Sequence, residues 1–293
     1  MNLKIGIVGL GYWGKIILKN LKGLGYKNIK VYEPNKINWG DIGFKVPTAE
    51  SMEDLLDRDK IFVVTPTNTH SLVCNFFIKH GVDIFCEKPL TNDLSATLDL
   101  YKNINENSSK LFVDWLFTFN PAVKKIKEII QSKGAPKTII SNRLNYGPQR
   151  FDVDARLDLS SHDVSIMLHW LEVFPTTINW VDFKRNKSSV TNDSNIGVLS
   201  FDKGDNTTSV QINSSWEFGE KNRDVIIEFY DGEFLKWNDF SGLLTLNGSN
   251  ISFENYSPLE KSISTFLENK FDQEKNKLLT ININKILQNE DTI

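Results

Sequence analysis

Over its first hundred residues the chain alternates short apolar runs with amphipathic stretches. LKIGIVG (3–9) is apolar and ends in glycine, and YWGKIILKNLKGLG (12–25) repeats apolar residues at helical spacing. IKVYE (29–33), KIFVVT (60–65), VDIFCE (82–87) and KLFVDW (110–115) predict strands. Between them, HSLVCNFFIKHG (70–81) predicts a helix stopped by Gly81, and TNDLSATLDLYKNINEN (91–107) one capped by Thr91. Wholly apolar strands separated by amphipathic helices predict a doubly wound parallel sheet of the Rossmann type, covered on both faces.

The pattern changes after residue 135. TIISNRLNY (138–146), INWVDFK (178–184), NIGVLSFD (195–202), SVQINSSWEF (209–218), DVIIEFYD (224–231), GEFLKWND (232–239) and GLLTLNG (242–248) predict successive strands. SVQINSSW alternates with period two, and Asp231-Gly232 and Asn247-Gly248 are hairpin-type dipeptides. Helices over 257–270 and 278–289 close the chain. The expected fold is therefore α/β followed by α+β: a dinucleotide-binding domain over 1–118, then a domain over 119–293 built on a large, mainly antiparallel sheet. FNPAVKKIKEII (119–130) reads as the amphipathic helix that joins them, and the last helix could pack back on the first domain. Apolar residues such as Trp216, Phe218 and Phe229 on a wetter sheet face suggest pairing with a copy of the chain, as a homodimer or homotetramer.

At 293 residues two domains are the natural expectation, and the composition is ordinary: 40% hydrophobic, 24% charged, net charge -3. That balance excludes a strongly basic nucleic-acid binder. No apolar run reaches the roughly 18 residues of a membrane span. The opening MNLKIGIVGLG reads as a strand, not a signal peptide. With Cys74 and Cys86 read as buried thiols in a reducing compartment, a cytoplasmic location is expected. Four histidines without paired Cys or carboxylate spacing give no metal site.

Candidate chemistry begins at GLGYWG, where Gly9, Gly11 and Gly14 stand in G-x-G-x-x-G spacing between a predicted strand and a predicted helix. The first glycine permits a tight turn, the second lets a pyrophosphate approach the backbone, and the third lets helix and strand pack closely. Glu33 ends the next strand, where a carboxylate accepts from ribose hydroxyls and repels a 2′-phosphate. NAD is expected, and NADP disfavoured.

Three further stretches fall into a pattern: TPTNTH (65–70), CEKPLT (86–91) and DLSSHDVSIM (158–167). With the glycine motif and a PLEKSISTFLENK tail helix, the chain resembles the glucose–fructose oxidoreductase/inositol dehydrogenase (Gfo/Idh/MocA) family. CEKPLT corresponds to that family's Glu-Lys-Pro signature and Asp158–His162 to its Asp-x-x-x-His segment. The resemblance implies a nicotinamide at the C-terminal ends of the parallel strands, facing the sheet of the second domain. It implies that Lys88 polarises the reacting oxygen, that His162 is the general base, and that Asp158 assists it or binds substrate. It also implies cofactor contacts from Tyr12, Trp13, Thr65, Pro66, Thr67, His70, Glu87, Lys88 and Asn120. GYWG, FNPAVKKIKEII and RLNYG through DVDARLDLSSHD further resemble a subgroup of surface-polysaccharide biosynthesis. Its members 3-dehydrogenate UDP-N-acetylglucosamine-type sugars or their uronic acids.

The same residues have plainer readings. A lysine before proline is ordinarily a solvated cation. Asp158, Ser160, Ser161 and Asp163 all suit a helix start, with Ser160 as N-cap and Asp163 completing a capping-box-like arrangement. His162 would then lie in the first turn, where the positive helix end disfavours imidazolium. His70 suits capping or cofactor contact, His80 a solvated helix end, and His169 the core. Arg143 and Asn145 alternate with Leu144 and, with Tyr146 and Arg150, either line a substrate site holding a diphosphate or carboxylate or form a polar outer face. Two rival functions stand beside a nucleotide-sugar dehydrogenase: oxidation of a free polyol such as inositol, and a regulator that binds the dinucleotide without turnover.

Overall fold

Strands buried on both faces must pair on both edges or be covered, and the first part of the chain does both. The computed structural model describes residues 3–107, 109–147, 150–185 and 191–289. The chain up to Asp114 runs β1 (Ile5–Val8), α1 (Tyr12–Gly23), β2 (Ile29–Tyr32), β3 (Lys60–Val63), α2 (Thr67–Lys79), β4 (Asp83–Cys86), α3 (Leu94–Asn107) and β5 (Leu111–Val113). The five strands form a parallel sheet in the order β2-β1-β3-β4-β5. The order reverses between β1 and β3, so the loops after these two strands diverge and open a crevice at their carboxyl ends.

From Trp115 the chain continues through α4 (Pro121–Lys133), β6 (Thr138–Tyr146), a π turn (Arg156–Ser160) and α5 (Ser161–Leu171). There follow β7 (Thr177–Phe183), β8 (Ser194–Lys203), β9 (Asn206–Ser215), β10 (Glu217–Asn222), β11 (Asp224–Glu228), β12 (Phe234–Asn238), β13 (Leu243–Leu246) and β14 (Ser249–Asn250). They form one nine-stranded sheet, ordered β14-β13-β12-β11-β6-β9-β8-β7 with β10 on β6; only β6 and β9 pair in parallel. β13 and β14 turn at Asn247-Gly248, both in the left-handed region, as a two-residue hairpin requires. Burial alternates along β6, β8 and β9, with one face against the helices.

The helices α6 (Pro258–Leu267) and α7 (Gln273–Gln288) close the chain. Two compact units result: the chain to Asp114 with Leu259–Ile281, and Trp115–Pro258 with the chain from Asn282. In the first unit the Phe266 ring packs on Phe62, Phe85 and Phe112, with centroids 5.5, 5.7 and 6.0 Å away. Asn276 covers the exposed edge of β5: its amide oxygen accepts from Val113 N at 2.9 Å, and its NH2 donates to Val113 O at 3.0 Å. Lys60, 4% exposed, lies over the Phe266 ring and donates to Asp83 and Asn269.

Some local expectations change. α3 is capped by Asp93, which accepts from Ala96 N, while Thr91 turns inward to Thr97. α2 starts at Thr67, earlier than the apolar spacing suggests. Trp216 and Phe229 are buried core residues, so of the three aromatics expected on an open face only Phe218 is exposed. Exposed apolar side chains on the sheet also include Val181, Phe183, Ile196, Val198, Ile226, Phe234 and Leu243. Among the described residues no helix is long and apolar enough to cross a membrane.

Because Phe266 fills the aromatic cluster on the parallel sheet, Phe266→Ala is expected to cost about 3–5 kcal/mol. Urea unfolding monitored by fluorescence measures this.

Candidate active site

β1 ends in a turn that only glycine allows. Gly9 has φ 94°, and a Cβ there would sit 2.6 Å from the Val64 carbonyl oxygen. At Gly14 a Cβ would collide with the Gly9 carbonyl, so α1 crosses β1 as closely as backbone permits. Gly11, the N-cap of α1, has open space where its Cβ would be, and no side chain caps the helix. The first turn of α1 thus presents backbone N–H groups with no side-chain acceptor, a ready site for a pyrophosphate. Glu33 lies beside this loop: its carboxylate accepts from Leu10 N at 2.7 Å and from the Asn35 N and Nδ2 atoms at 3.0 and 2.9 Å. Asn35, which no motif marks, helps hold the carboxylate in place. Tyr12 is largely exposed. These features fit a dinucleotide.

The loops after β3 and β4 are tied together by His70. Its Nδ1 lies 3.0 Å from Pro89 O and its Nε2 2.8 Å from Thr65 O. The ring is 1% exposed, so His70 does not reach out to a ligand as expected; it braces the segments carrying Thr65, Pro66 and Lys88. Thr67 is buried at the start of α2. Trp13 donates its indole N–H to Glu87, linking the glycine loop to the Glu-Lys-Pro segment.

Asp114 is a site residue that motif matching misses. Cys86 and Val113 are register partners in the parallel ladder, so Glu87 and Asp114 follow at matched positions beyond the ends of β4 and β5. Asp114 N donates to Cys86 O at 3.0 Å, and its Oδ1 accepts from Ser262 Oγ at 2.6 Å. Burial raises the Asp114 carboxyl to about 7, opposed by the Ser262 bond and the Lys88 charge. Burial and then the Asp114 charge raise Glu87 to about 8, with Trp13 and Lys88 opposing. The readable signal is two neighbouring strands, DIFCE and LFVD, each ending in an acid.

In the second unit the DLSSHDVSIM segment is helical throughout. The π turn over Arg156–Ser160 runs directly into α5, so Ser160 is not an N-cap; its hydroxyl meets Asn195 and Ser214 instead. Asp163 is not part of a cap either. It is 1% exposed and accepts from Arg143 Nε at 2.8 Å, Arg143 Nη2 at 3.1 Å and Ser141 Oγ at 2.8 Å. Arg143 is 4% exposed and its charge is already matched, which corrects the expectation that it lines a substrate site. Its guanidinium lies 4.5 Å over the Phe117 ring, which also meets Trp237 at 6.5 Å and His162, edge-on at 5.0 Å and half-buried. Phe117 therefore seats His162 against a fixed ion pair.

Arg150 bridges two carboxylates, Asp152 at 2.6 Å and Asp158 at 3.1 Å. Asn145 donates to Gly147 O, and Tyr146 is exposed. Asn120 caps α4, accepting from Ala122 N at 2.9 Å, and its NH2 reaches Asp239 at 3.5 Å. His80 is exposed at the end of α2, against Phe76 O. His169 is half-buried, lowered to about 4 by burial and then by the Lys127 charge.

A family model described as "Oxidoreductase family, NAD-binding Rossmann fold" matches residues 3–115. Those residues are similar to the NAD-binding part of the Gfo/Idh/MocA oxidoreductases. Among curated relatives, the UDP-N-acetylglucosamine 3-dehydrogenase of Acidithiobacillus ferrooxidans is 24% identical over 174 residues, covering 57% of this chain and 54% of that one. The inositol 2-dehydrogenase of Rhizobium meliloti is 27% identical over 135 residues, 44% of this chain and 41% of that one. The aligned stretch thus spans about half the length of these relatives. Among solved structures, the A. ferrooxidans enzyme superposes with a TM-score of 0.84 at 18% identity, covering 99% of this chain and 96% of that one. The WlbA dehydrogenase of Bordetella pertussis, in complex with NADH and UDP-GlcNAcA, gives 0.78 at 15% identity, with 99% and 95% covered. At such identities the superpositions speak for the fold.

Two substitutions test this arrangement. Because Gly11 faces open space, Gly11→Val is expected to leave the melting temperature unchanged while weakening dinucleotide binding by about an order of magnitude or more, read by titration calorimetry. Arg143→Met strands a buried carboxylate and is expected to cost about 3–5 kcal/mol in denaturant unfolding; adding Asp163→Leu should recover most of it.

Proposed function

We propose that this protein oxidises a secondary hydroxyl of a sugar with NAD as hydride acceptor, the substrate being a nucleotide-linked hexosamine or its uronic acid acted on at C3. The observation that carries the reading is a glycine cradle built for a dinucleotide, tied through Trp13 to the segment that bears Lys88. The named activity of the A. ferrooxidans relative supports the choice of substrate class.

In this reading Gly9, Gly11, Tyr12, Trp13, Gly14, Glu33, Thr65, Pro66, Thr67, Glu87 and Lys88 hold the cofactor, with Asn120 contributing from its cap. Glu33 favours NAD because a 2′-phosphate would meet its carboxylate. When bound, nicotinamide supplies the hydride acceptor. Lys88 donates a hydrogen bond to the reacting oxygen and stabilises the charge that grows there. His162 takes the hydroxyl proton as hydride leaves carbon, which an imidazole does well near neutral pH. Asp158, held by Arg150, orients substrate beside it.

One observation favours a second reading, a free polyol such as inositol. A diphosphate calls for unmatched cations, yet Arg143 is paired with Asp163 and Arg150 with both Asp152 and Asp158. Under either reading the chain is proposed to self-associate through the outer face of its large sheet, where Val181, Ile196 and Val198 are exposed.

Nicotinamide absorbance after mixing the protein and NAD with UDP-N-acetylglucosamine, its uronic acid, inositol or glucose separates these readings. Turnover with a UDP-sugar is expected, falling roughly 10²–10⁴-fold in Lys88→Met and in His162→Asn, with NAD binding persisting in His162→Asn. Turnover with inositol alone selects the second reading. Tight NAD binding with no turnover on any substrate selects a regulator.

A further inference from the structure

Glu87 and Asp114 stand at register-matched positions on neighbouring parallel strand ends, where backbones run about 4.8 Å apart and side chains share a face. Each is held by a different donor: Trp13 Nε1 on Glu87, and Ser262 Oγ on Asp114 Oδ1. Asp114 is 1% exposed, and among the described residues its Oδ2 has no hydrogen-bond partner. The Lys88 charge acts on both carboxyls.

We propose that Glu87 and Asp114 act as one carboxylate pair holding a single proton between them, and that this pair is the positioning element for the Lys88 ammonium. Asp114 is buried and Glu87 half-buried, and two negative charges on adjacent strand ends there do not both persist near neutrality. One proton leaves the pair with a single negative charge, matched one for one by Lys88. A neutral carboxyl also tolerates a buried, unpartnered oxygen better than a carboxylate does. The shift of both groups above the ordinary carboxylate range agrees with this. The other titratable groups close by are the thiols of Cys86 and Cys74, and burial pushes the Cys86 thiol up. α1 contributes Trp13 and α6 contributes Ser262, both uncharged. The role of Lys88 rests on the dehydrogenase reading; the shared proton does not.

Stability then depends on pH with a definite sign. Between the ordinary carboxylate range and about pH 8 the folded pair keeps a proton that the unfolded chain has lost, so stability falls as pH rises through that window. Asp114→Asn preserves shape and the Ser262 contact while removing one ionisable group. Infrared spectra of the protein without substrate are the first readout. At about pH 6 the wild type is expected to show a protonated-carboxyl stretch that fades as the pH passes about 8 and is missing in Asp114→Asn and in Glu87→Gln. Melting temperature is expected to fall more steeply with pH in the wild type than in either variant. With one negative charge fewer beside it, Lys88 is expected to be acetylated several-fold faster in Asp114→Asn at about pH 9, read by peptide mass spectrometry.

An acid band that neither variant removes overturns the pair. Equal Lys88 labelling in wild type and variant overturns its positioning role. None of these readouts needs turnover, so a failure of the dehydrogenase reading stays separately visible.

Discussion

The close crossing of α1 over β1 is the constraint on which the first unit depends. Gly14 lies so near the Gly9 carbonyl that no side chain fits between them, and Gly9 itself is pressed against the Val64 carbonyl in a left-handed turn. With both glycines in place, the N-terminus of α1 points out of the crevice where the strand order reverses. Trp13 is then within reach of Glu87, and the carboxylate of Glu33 within reach of Leu10 N. A bulkier residue at either position would separate helix from strand and move these partners together.

Buried charge is handled differently in the two units. In the second, Arg143 and Asp163 form a bidentate pair with Ser141 taking a further lone pair, so opposite charges are matched directly. Such an arrangement fixes geometry: Phe117 is stacked on the guanidinium, and His162 rests against Phe117. In the first unit the groups near Lys88 are the buried Asp114 and the half-buried Glu87, both raised, and a shared proton leaves one negative charge to face Lys88. One cluster suits permanence and the other suits a change of charge.

Features written in a few consecutive residues are legible in the sequence itself. The glycine spacing, Glu33 at a strand end, Lys88 before proline and the Asn247-Gly248 hairpin each depend on local backbone geometry, and the order of parallel strands and helices follows from apolar runs. The start of α5 is not legible, because Asp158, Ser160, Ser161 and Asp163 are all good capping residues and the π turn that absorbs them depends on tertiary partners such as Asn195 and Ser214. The same limit hides the match of Arg143 to Asp163. Asp114 escapes because its importance lies in register across two strands, which no single stretch displays.

The Asn276 clamp on Val113 joins residues 163 positions apart, and Ser262 reaches Asp114 across 148. The parallel sheet is therefore complete only when a segment more than a hundred residues downstream has arrived. On the ribosome, where the chain emerges N-terminus first at roughly 5–20 residues per second, β5 and the Phe62–Phe85–Phe112 surface would wait roughly 10–40 seconds for their cover. During that interval an unpaired strand edge and an aromatic patch are open to other nascent chains. Chaperone demand in synthesis should thus concentrate on the first unit, although its strands are the earliest made.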